Sequence, residues 1–492
     1  MRVAFDKIAY SSVWVFTFCS SGCILHCCCY PTDAAGSVAL HEPILHRWDA
    51  FVKGDMMRIA FVSPRAGFTT RNKSLQQFWD QSSEANAYRA YWTGLGSGLL
   101  VLAALTPPGH EVTLVDENYD DVDLGADYDI VAITCMTQQA VRAYEIADAF
   151  RSKGSKVVVG GIHPTVMTEE AANHADAVVV GEAEDIWPVV LKDAAAGQLR
   201  RVYRSSESPD LRRSPCPRFD VLDTSRYPLL WLQASRGCPH DCDYCAASKI
   251  YGRKYRTKAA EQVLKEVEAA LSLSESTRLA FADDNFLVDR SLAADLLSGL
   301  RGYGARWHAQ CDVSIARDDN LLRQMSASGC TFVFVGFESL SSDSLASIDK
   351  TQWKARQTAF YAEAVERIQS HGIGVMGAFM VGFDGDGKGV FQRVGDFILK
   401  TNMYAASITI LTPLPGTRLR AWLQQQGRLL PGRTWNDYTA YNVNHELVGM
   451  SEAEMYEGLT DLYRRVYSQE AYETKMEYFK RLQRSRLRET FC

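Results

Sequence analysis

The sequence predicts an α/β fold in three parts: a doubly wound parallel-sheet domain, a partial (β/α)6 barrel, and a helical C-terminal region. Three observations predict it. Short apolar runs alternate with helix-length segments in two separate series, a proline- and serine-rich stretch divides the series, and after the last apolar run the pattern turns helical. With 492 residues, 47% hydrophobic and 23% charged, the chain can bury several cores and is too apolar for an intrinsically disordered protein. Its 53 basic and 59 acidic side chains leave a formal charge of -6, so no global charge draws it to nucleic acid or an anionic membrane.

Residues 1–56 stand apart as an N-terminal extension. Five of the thirteen cysteines (Cys19, Cys23, Cys27, Cys28 and Cys29) crowd behind the apolar Val13, Trp14, Val15, Phe16 and Phe18. The run is too short and too interrupted by serines for a membrane span, and reads as a weak secretory or lipoprotein-type signal. A second reading starts the protein at Met56 or Met57, because Met57 opens a basic residue and a buried-type strand ending at Ser63-Pro64. A metal site at Cys27, Cys28 and Cys29 is the third. An odd cysteine total, so unevenly spread, does not describe a disulfide framework.

Between 57 and 200, the runs 59–62, 111–115, 129–134, 156–161 and 177–181 read as strands separated by helices, hence a parallel sheet covered on both faces. Ligands of such sheets bind at the carboxyl ends of the strands. Those ends carry Ser63-Pro64, the turn 134–138, Gly160-Gly161-Ile162-His163-Pro164 and Gly181-Glu182. Residues 201–228, with Pro209, Pro215, Pro217 and Pro228, read as a linker. Six further strand candidates (229–234, 278–282, 305–311, 331–336, 374–381 and 406–411) make the partial barrel of 229–417. In the helical region 418–492, Met455, Leu459, Leu462, Tyr463, Val466 and Tyr467 fall on one face as core contacts. Lys480, Arg481, Arg484, Arg486 and Arg488 close the chain as a solvated basic end.

The chemistry is carried by Ser235-Arg236-Gly237-Cys238-Pro239-His240-Asp241-Cys242-Asp243-Tyr244-Cys245, a C-x3-C-x2-C spacing directly after the first barrel strand. Thiolates are soft ligands, and three this close can hold one face of an iron–sulfur cube or most of a zinc site. Structural zinc wants four protein ligands, and no second cysteine pair follows at finger-like spacing, although Cys216 or His240 is available. A four-iron cluster on three cysteines keeps one iron open for a further ligand.

Cys238, Cys242 and Cys245, the aromatic Tyr244 before the last of them, and the six-unit barrel resemble the radical S-adenosylmethionine (SAM) enzymes over about 229–417. The resemblance implies a [4Fe-4S] cluster whose open iron chelates SAM, and an electron from the cluster that splits the sulfonium to a 5'-deoxyadenosyl radical. It also implies SAM contacts at the strand ends. Asp283 and Asp284 would lie at the methionine end, Glu338 at the ribose or carboxylate, Gln310 at the third strand end, and the loop 411–417 near adenine. As isolated residues, the three acids have the alternative reading of helix N-caps or exposed loop acids.

The first domain, with Gly160, Gly161, His163, Gly181 and Glu182 at its strand ends, resembles the flavodoxin-like (Rossmann-type) cobalamin-binding domain joined to many of these enzymes. The resemblance then covers about 57–417. One departure is the missing D-x-H-x-x-G motif that gives cobalt a lower histidine; His163 is not in that context.

These resemblances imply a B12-dependent radical SAM enzyme, foremost a methyltransferase acting on an unactivated carbon of a small-molecule or lipid substrate, served by an electron donor such as flavodoxin or ferredoxin. Cyclisation or rearrangement on the same scaffold is the alternative. An RNA-modifying methylthiotransferase-like enzyme would need three more cysteines in the first domain, which has only Cys135. A zinc-stabilised binding protein is the non-enzymatic alternative. An oxygen-labile cluster implies the cytoplasm, with peripheral membrane contact open and no integral span expected.

Overall fold

The computed structural model describes residues 56–65, 69–82, 95–274, 276 and 278–491. The signal and cysteine-run readings of residues 1–55 lie outside the described residues.

The first sheet holds β1 (Arg58–Ser63), β2 (Glu111–Asp116), β3 (Ile130–Thr134), β4 (Lys156–Gly160), β5 (Ala177–Val180) and β6 (Val202–Arg204), in the order β2-β1-β3-β4-β5-β6 and all parallel. Valine-rich stretches such as Val157 to Val159 and Val178 to Val180 suit this sheet because both of its faces are buried. On one face the helix Ala140–Ser152 packs Ile146, Ala147 and Phe150 against it. On the other, Trp187 is 1% exposed, lies 5.4 Å from Phe61 between ring centroids, and donates its indole N–H to Thr106 at 3.0 Å. Cutting Trp187 back to alanine there costs about 3–5 kcal/mol.

β6 corrects the expected linker boundary. Val202–Arg204 pairs in parallel with β5, and Tyr203 is buried with its hydroxyl on Asp193 at 2.9 Å. Three residues carry too little alternation to announce a strand. The remaining connection is built from the turns Leu211–Arg213, Phe219–Val221 and Thr224–Arg226, the first and last capped by Asp210 and Asp223.

The second sheet begins with β7 (Leu230–Leu232). A two-stranded antiparallel clasp follows, β8 (Ser235–Arg236) with β9 (Arg256–Thr257). Then come β10 (Arg278–Phe281), β11 (Arg306–Cys311), β12 (Cys330–Glu338), β13 (Gly374–Val381) and β14 (Ala405–Ile410). The order β14-β13-β12-β11-β10-β7 is wholly parallel and its two ends do not pair, which makes an open partial barrel. Leu279, Trp307, Val333 and Phe337 face the helices in the main core. The alternate residues face inward, with Gln310 in register with Phe334, and Phe334 with Met376.

In the C-terminal region the α-helices are Arg418–Gln425, Glu452–Val466 and Gln469–Phe491, and the intervening 426–450 is irregular apart from the 3-10 turn Trp435–Asp437. That segment straps the two domains together, Arg71 meeting Asp437 at 2.6 Å. The expected helical stripe does pack: Met455, Leu459, Leu462, Tyr463 and Val466 are buried. Tyr463 and Tyr467 also donate to the carbonyls of Ile408 and Ala406 at 2.9 and 2.7 Å, and Ile410 donates to Ala440 at 2.8 Å, so the exposed edge of β14 is covered. Among the described residues no helix is long and apolar enough to cross a membrane.

Candidate functional site

The cysteine loop leaves the barrel after β7 and is held from three sides. Gly237 has φ 92°, and a Cβ there would meet the Lys254 carbonyl at 2.4 Å, so only glycine fits where the clasp closes. Cys238 donates its N–H to Gly252 at 3.4 Å, and Asp243 donates to Ile348 at 2.8 Å. From the third side Arg418 reaches the Asp241 carboxylate and carbonyl at 2.8 and 2.7 Å and contacts the Asp243 carboxylate.

The loop brings its three thiols into one electrostatic group, Cys245 acting on both Cys238 and Cys242. Burial pushes Cys238 up to about 11 and Cys242 up to about 12 even with the Lys354 ammonium acting on both, so ionising either at neutral pH takes the further positive charge of a bound metal group. Among the described residues no three His, Cys, Asp or Glu side chains converge on a point where one ion would sit. Three soft donors on one short loop suit the corners of an iron–sulfur cube, whereas a structural zinc ion takes a fourth protein ligand. Neither residue proposed to complete a zinc set joins them. His240 binds Asp312 at 3.0 Å and packs on Trp353, while the Cys216 thiol lies in the field of Glu266 and Lys258.

The acidic pair after β10 lies against the cysteine loop. Asp283 is 0% exposed and accepts from the Ala234 N–H at 3.1 Å and from the Ser235 hydroxyl. Burial pushes its carboxyl up to about 7. Asp284 accepts from the Gly237 N–H at 3.1 Å. Buried backbone donors of the turning loop need acceptors, and these carboxylates supply them.

Glu338 ends β12 with φ 63°, after a register shift that follows Gly336. A non-glycine residue in that region is held by its surroundings. Here Lys354, itself buried, donates to the Glu338 carboxylate at 2.9 Å and to the Gly336 carbonyl at 3.1 Å. Tyr244 hydrogen-bonds Glu338, and burial, then the charge of Glu338, raises its phenol well above the ordinary value. Lys354 lowers the Cys242 thiol. Tyr244, Glu338 and Cys242 are thus gathered around a lysine that no motif announced. Gln310 is half-buried on the inner wall, its carbonyl accepting from Phe286 at 2.7 Å.

In the first domain the expected strand-end residues divide. Gly181 has φ 84° and nothing within 4 Å of an added Cβ, leaving its backbone open to a close ligand, whereas a Cβ on Gly161 would strike the Thr134 hydroxyl at 2.6 Å and one on Gly160 would touch Val179 at 3.6 Å. His163 is 0% exposed, with its ring nitrogens 3.3 Å from Thr137 and from Glu170 and its ring edge-on to Trp435 at 5.0 Å. Both nitrogens are engaged within the protein. Glu182 is likewise engaged within the protein. Its oxygens take Arg236 at 2.7 Å and Arg256 at 2.6 Å, while Arg236 also pairs with Glu184 at 2.5 Å. These arginines had no assigned role in the sequence, although Arg236 stands inside the cysteine motif.

These contacts turn the carboxyl ends of the two sheets toward each other. The turn after β5 grips the cysteine loop, and a Cβ on Gly416, in the loop after β14, would meet Val166 of the helix Ile162–Val166 at 2.7 Å.

Comparison with known proteins agrees with this architecture. Residues 93–191 match the B12 binding domain and residues 232–398 the Radical SAM superfamily. The chain is 30% identical over 389 residues to the bacteriochlorophyllide d C-12(1)-methyltransferase of Chlorobaculum tepidum, covering 77% of this chain and 84% of that one. It is 28% identical to the hopanoid C-2 methylase of Rhodopseudomonas palustris, over 68% and 65% of the two chains. The structure of the radical SAM methyltransferase TsrM from Kitasatospora setae, with cobalamin and a [4Fe-4S] cluster bound, superposes with a TM-score of 0.61 at 15% identity, covering 84% of this chain and 89% of that one. On these matches the chain belongs to the cobalamin-binding radical SAM enzymes.

Proposed function

We propose that the chain methylates an unactivated carbon of a largely apolar small molecule or lipid. The observation that carries this reading is the Glu182–Arg236–Glu184 cluster, which sets the open turn of the corrinoid-type domain against the cysteine loop and so presents both cofactor sites to one space. When bound, the [4Fe-4S] cluster, SAM and cobalamin supply electron transfer, hydrogen abstraction and methyl carriage. Cys238, Cys242 and Cys245 would hold the cluster, and Asp283 and Asp284 fix the loop that carries them. The open backbone at Gly181 would meet the corrinoid.

The barrel wall supports an apolar substrate. Phe332, Phe334, Met376 and Met380 lie on the inward register beside the polar His308 and Gln310, and Glu338 with Lys354 brings charge to the rim. Such a wall excludes water from reactive species. The relatives named above act, by their names, on a bacteriochlorophyllide and a hopanoid, both rich in hydrocarbon. An oxygen-labile cluster and its need for an electron supply support a cytoplasmic setting for this work.

Anaerobic reconstitution tests the reading. With SAM and dithionite the protein is expected to contain iron, sulfide and cobalt, to form 5'-deoxyadenosine, and to lose that product in Cys242→Ala. Substrate gaining one carbon unit identifies methylation, while an unchanged substrate mass identifies rearrangement. Zinc without iron overturns the enzyme.

A further inference from the structure

The cysteine loop is backed by a basic turn that the site itself does not use. Lys249, Arg253 and Lys254 are all exposed, the Arg253 side chain by 58%. The turn lies directly on the loop. Gly252 accepts from the Cys238 N–H at 3.4 Å, and the Lys254 carbonyl is the atom that a Cβ on Gly237 would strike. Lys249 and Arg253 both act on the Asp241 carboxylate, Arg253 from 3.9 Å.

The loop's own acids do not cancel this charge. Asp241 and Asp243 are already taken by Arg418. Four cations (Lys249, Arg253, Lys254, Arg418) against two carboxylates (Asp241, Asp243) leave +2 at this face, in a chain whose total is -6.

We propose that the 249–254 turn is the docking surface for an acidic one-electron carrier protein of the flavin or iron–sulfur class. The inference rests on the radical-enzyme reading, because it is the loop's cluster that needs an electron from outside. One electron leaves the reduced carrier and one enters the cluster; no bond forms or breaks, and no proton has to move. A carrier seated on the turn is separated from the residue of a cluster ligand by the Gly252–Cys238 hydrogen bond. Exposed cations there steer an acidic partner at a rate and affinity that fall with ionic strength.

The test uses the reconstituted holoenzyme, an acidic flavodoxin and the double variant K249E/K254E. Titration calorimetry is expected to show the flavodoxin Kd raised about tenfold or more at low salt, with the wild-type affinity itself weakening as salt rises. Flavodoxin-driven formation of 5'-deoxyadenosine should fall in step while dithionite-driven formation stays at the wild-type level. An unchanged Kd overturns the docking surface, as does loss of binding to phosphatidylglycerol vesicles with flavodoxin binding intact. Should the double variant also lose dithionite-driven turnover, K249Q/K254Q decides by the same Kd, a smaller rise supporting the proposal and no rise overturning it. Wild-type protein that makes no 5'-deoxyadenosine with dithionite instead refutes the radical-enzyme reading, and the binding measurement still judges the surface.

Discussion

Arg236, two residues ahead of the first cluster cysteine, stands 2.7 Å from Glu182 at the end of a strand in the other domain. Their side chains are 9% and 5% exposed, and the second arm of the guanidinium holds Glu184. Burial favours a protonated Glu184, yet the charge and hydrogen bond of Arg236 outweigh it and keep that carboxyl below its ordinary value. Arg236, with Arg256 on the other oxygen of Glu182, therefore ties the corrinoid-type domain to the cysteine loop.

Removing both acids should uncouple the two domains. In E182Q/E184Q, Arg236 becomes a buried cation without a counter-charge, which costs about 3–5 kcal/mol. Urea denaturation of the apoprotein is expected to shift to lower midpoint and to separate into two transitions. A single transition at the wild-type midpoint would show that the cluster does not hold the domains together.

Asp283 gives the apoprotein an unusual pH response. Its folded carboxyl is raised to about 7, mainly by burial, from an unfolded value near 3.8. The folded state therefore binds the proton more tightly, and this contribution is complete below pH ~4 and lost as pH rises through ~7. Denaturation midpoints between those limits should fall with rising pH in the wild type, and the slope should shrink in Asp283→Asn. An equal slope in both proteins would assign the pH dependence elsewhere.

The strands and the three cysteines were legible because their signals are local, namely a run of valines or a spacing within eleven residues. What escaped the sequence is formed by distant partners. The β8–β9 clasp joins two-residue strands, and Glu182 meets Arg256 across 74 positions. Asp283 and Asp284 announced an acidic strand end, but the sequence could not reveal that the loop's own backbone donors would claim them. His163 looked available because it sits in a glycine-rich turn, and it became buried only when Trp435, far along the chain, closed over it.

Lys354 should tune Cys242. Its ammonium lowers the thiol that burial has raised, and it neutralises Glu338. In Lys354→Met the Cys242 pKa rises further, so alkylation of apoprotein by iodoacetamide at pH 8.5, followed residue by residue with mass spectrometry, is expected to slow at Cys242, with Lys354→Arg restoring most of the rate. Faster alkylation in the methionine variant would mean that opening of the loop outweighs the charge.

His163 bears on how the corrinoid is held. Its nitrogens face Thr137 and Glu170 at 3.3 Å, and Glu170 also accepts the Trp435 indole N–H at 2.7 Å, so the imidazole is a joint between the first domain and the C-terminal strap. Burial lowers its pKa and keeps the ring neutral. A ring bound in this way has no lone pair to offer cobalt. His163→Ala should therefore cost about 1–3 kcal/mol by stranding its buried partners, while the electron paramagnetic resonance spectrum of bound cob(II)alamin stays that of the wild type. Loss of nitrogen superhyperfine splitting in the variant would show that the imidazole turns to the metal when the cofactor binds, and that the Thr137–Glu170 pairing belongs to the cofactor-free chain alone.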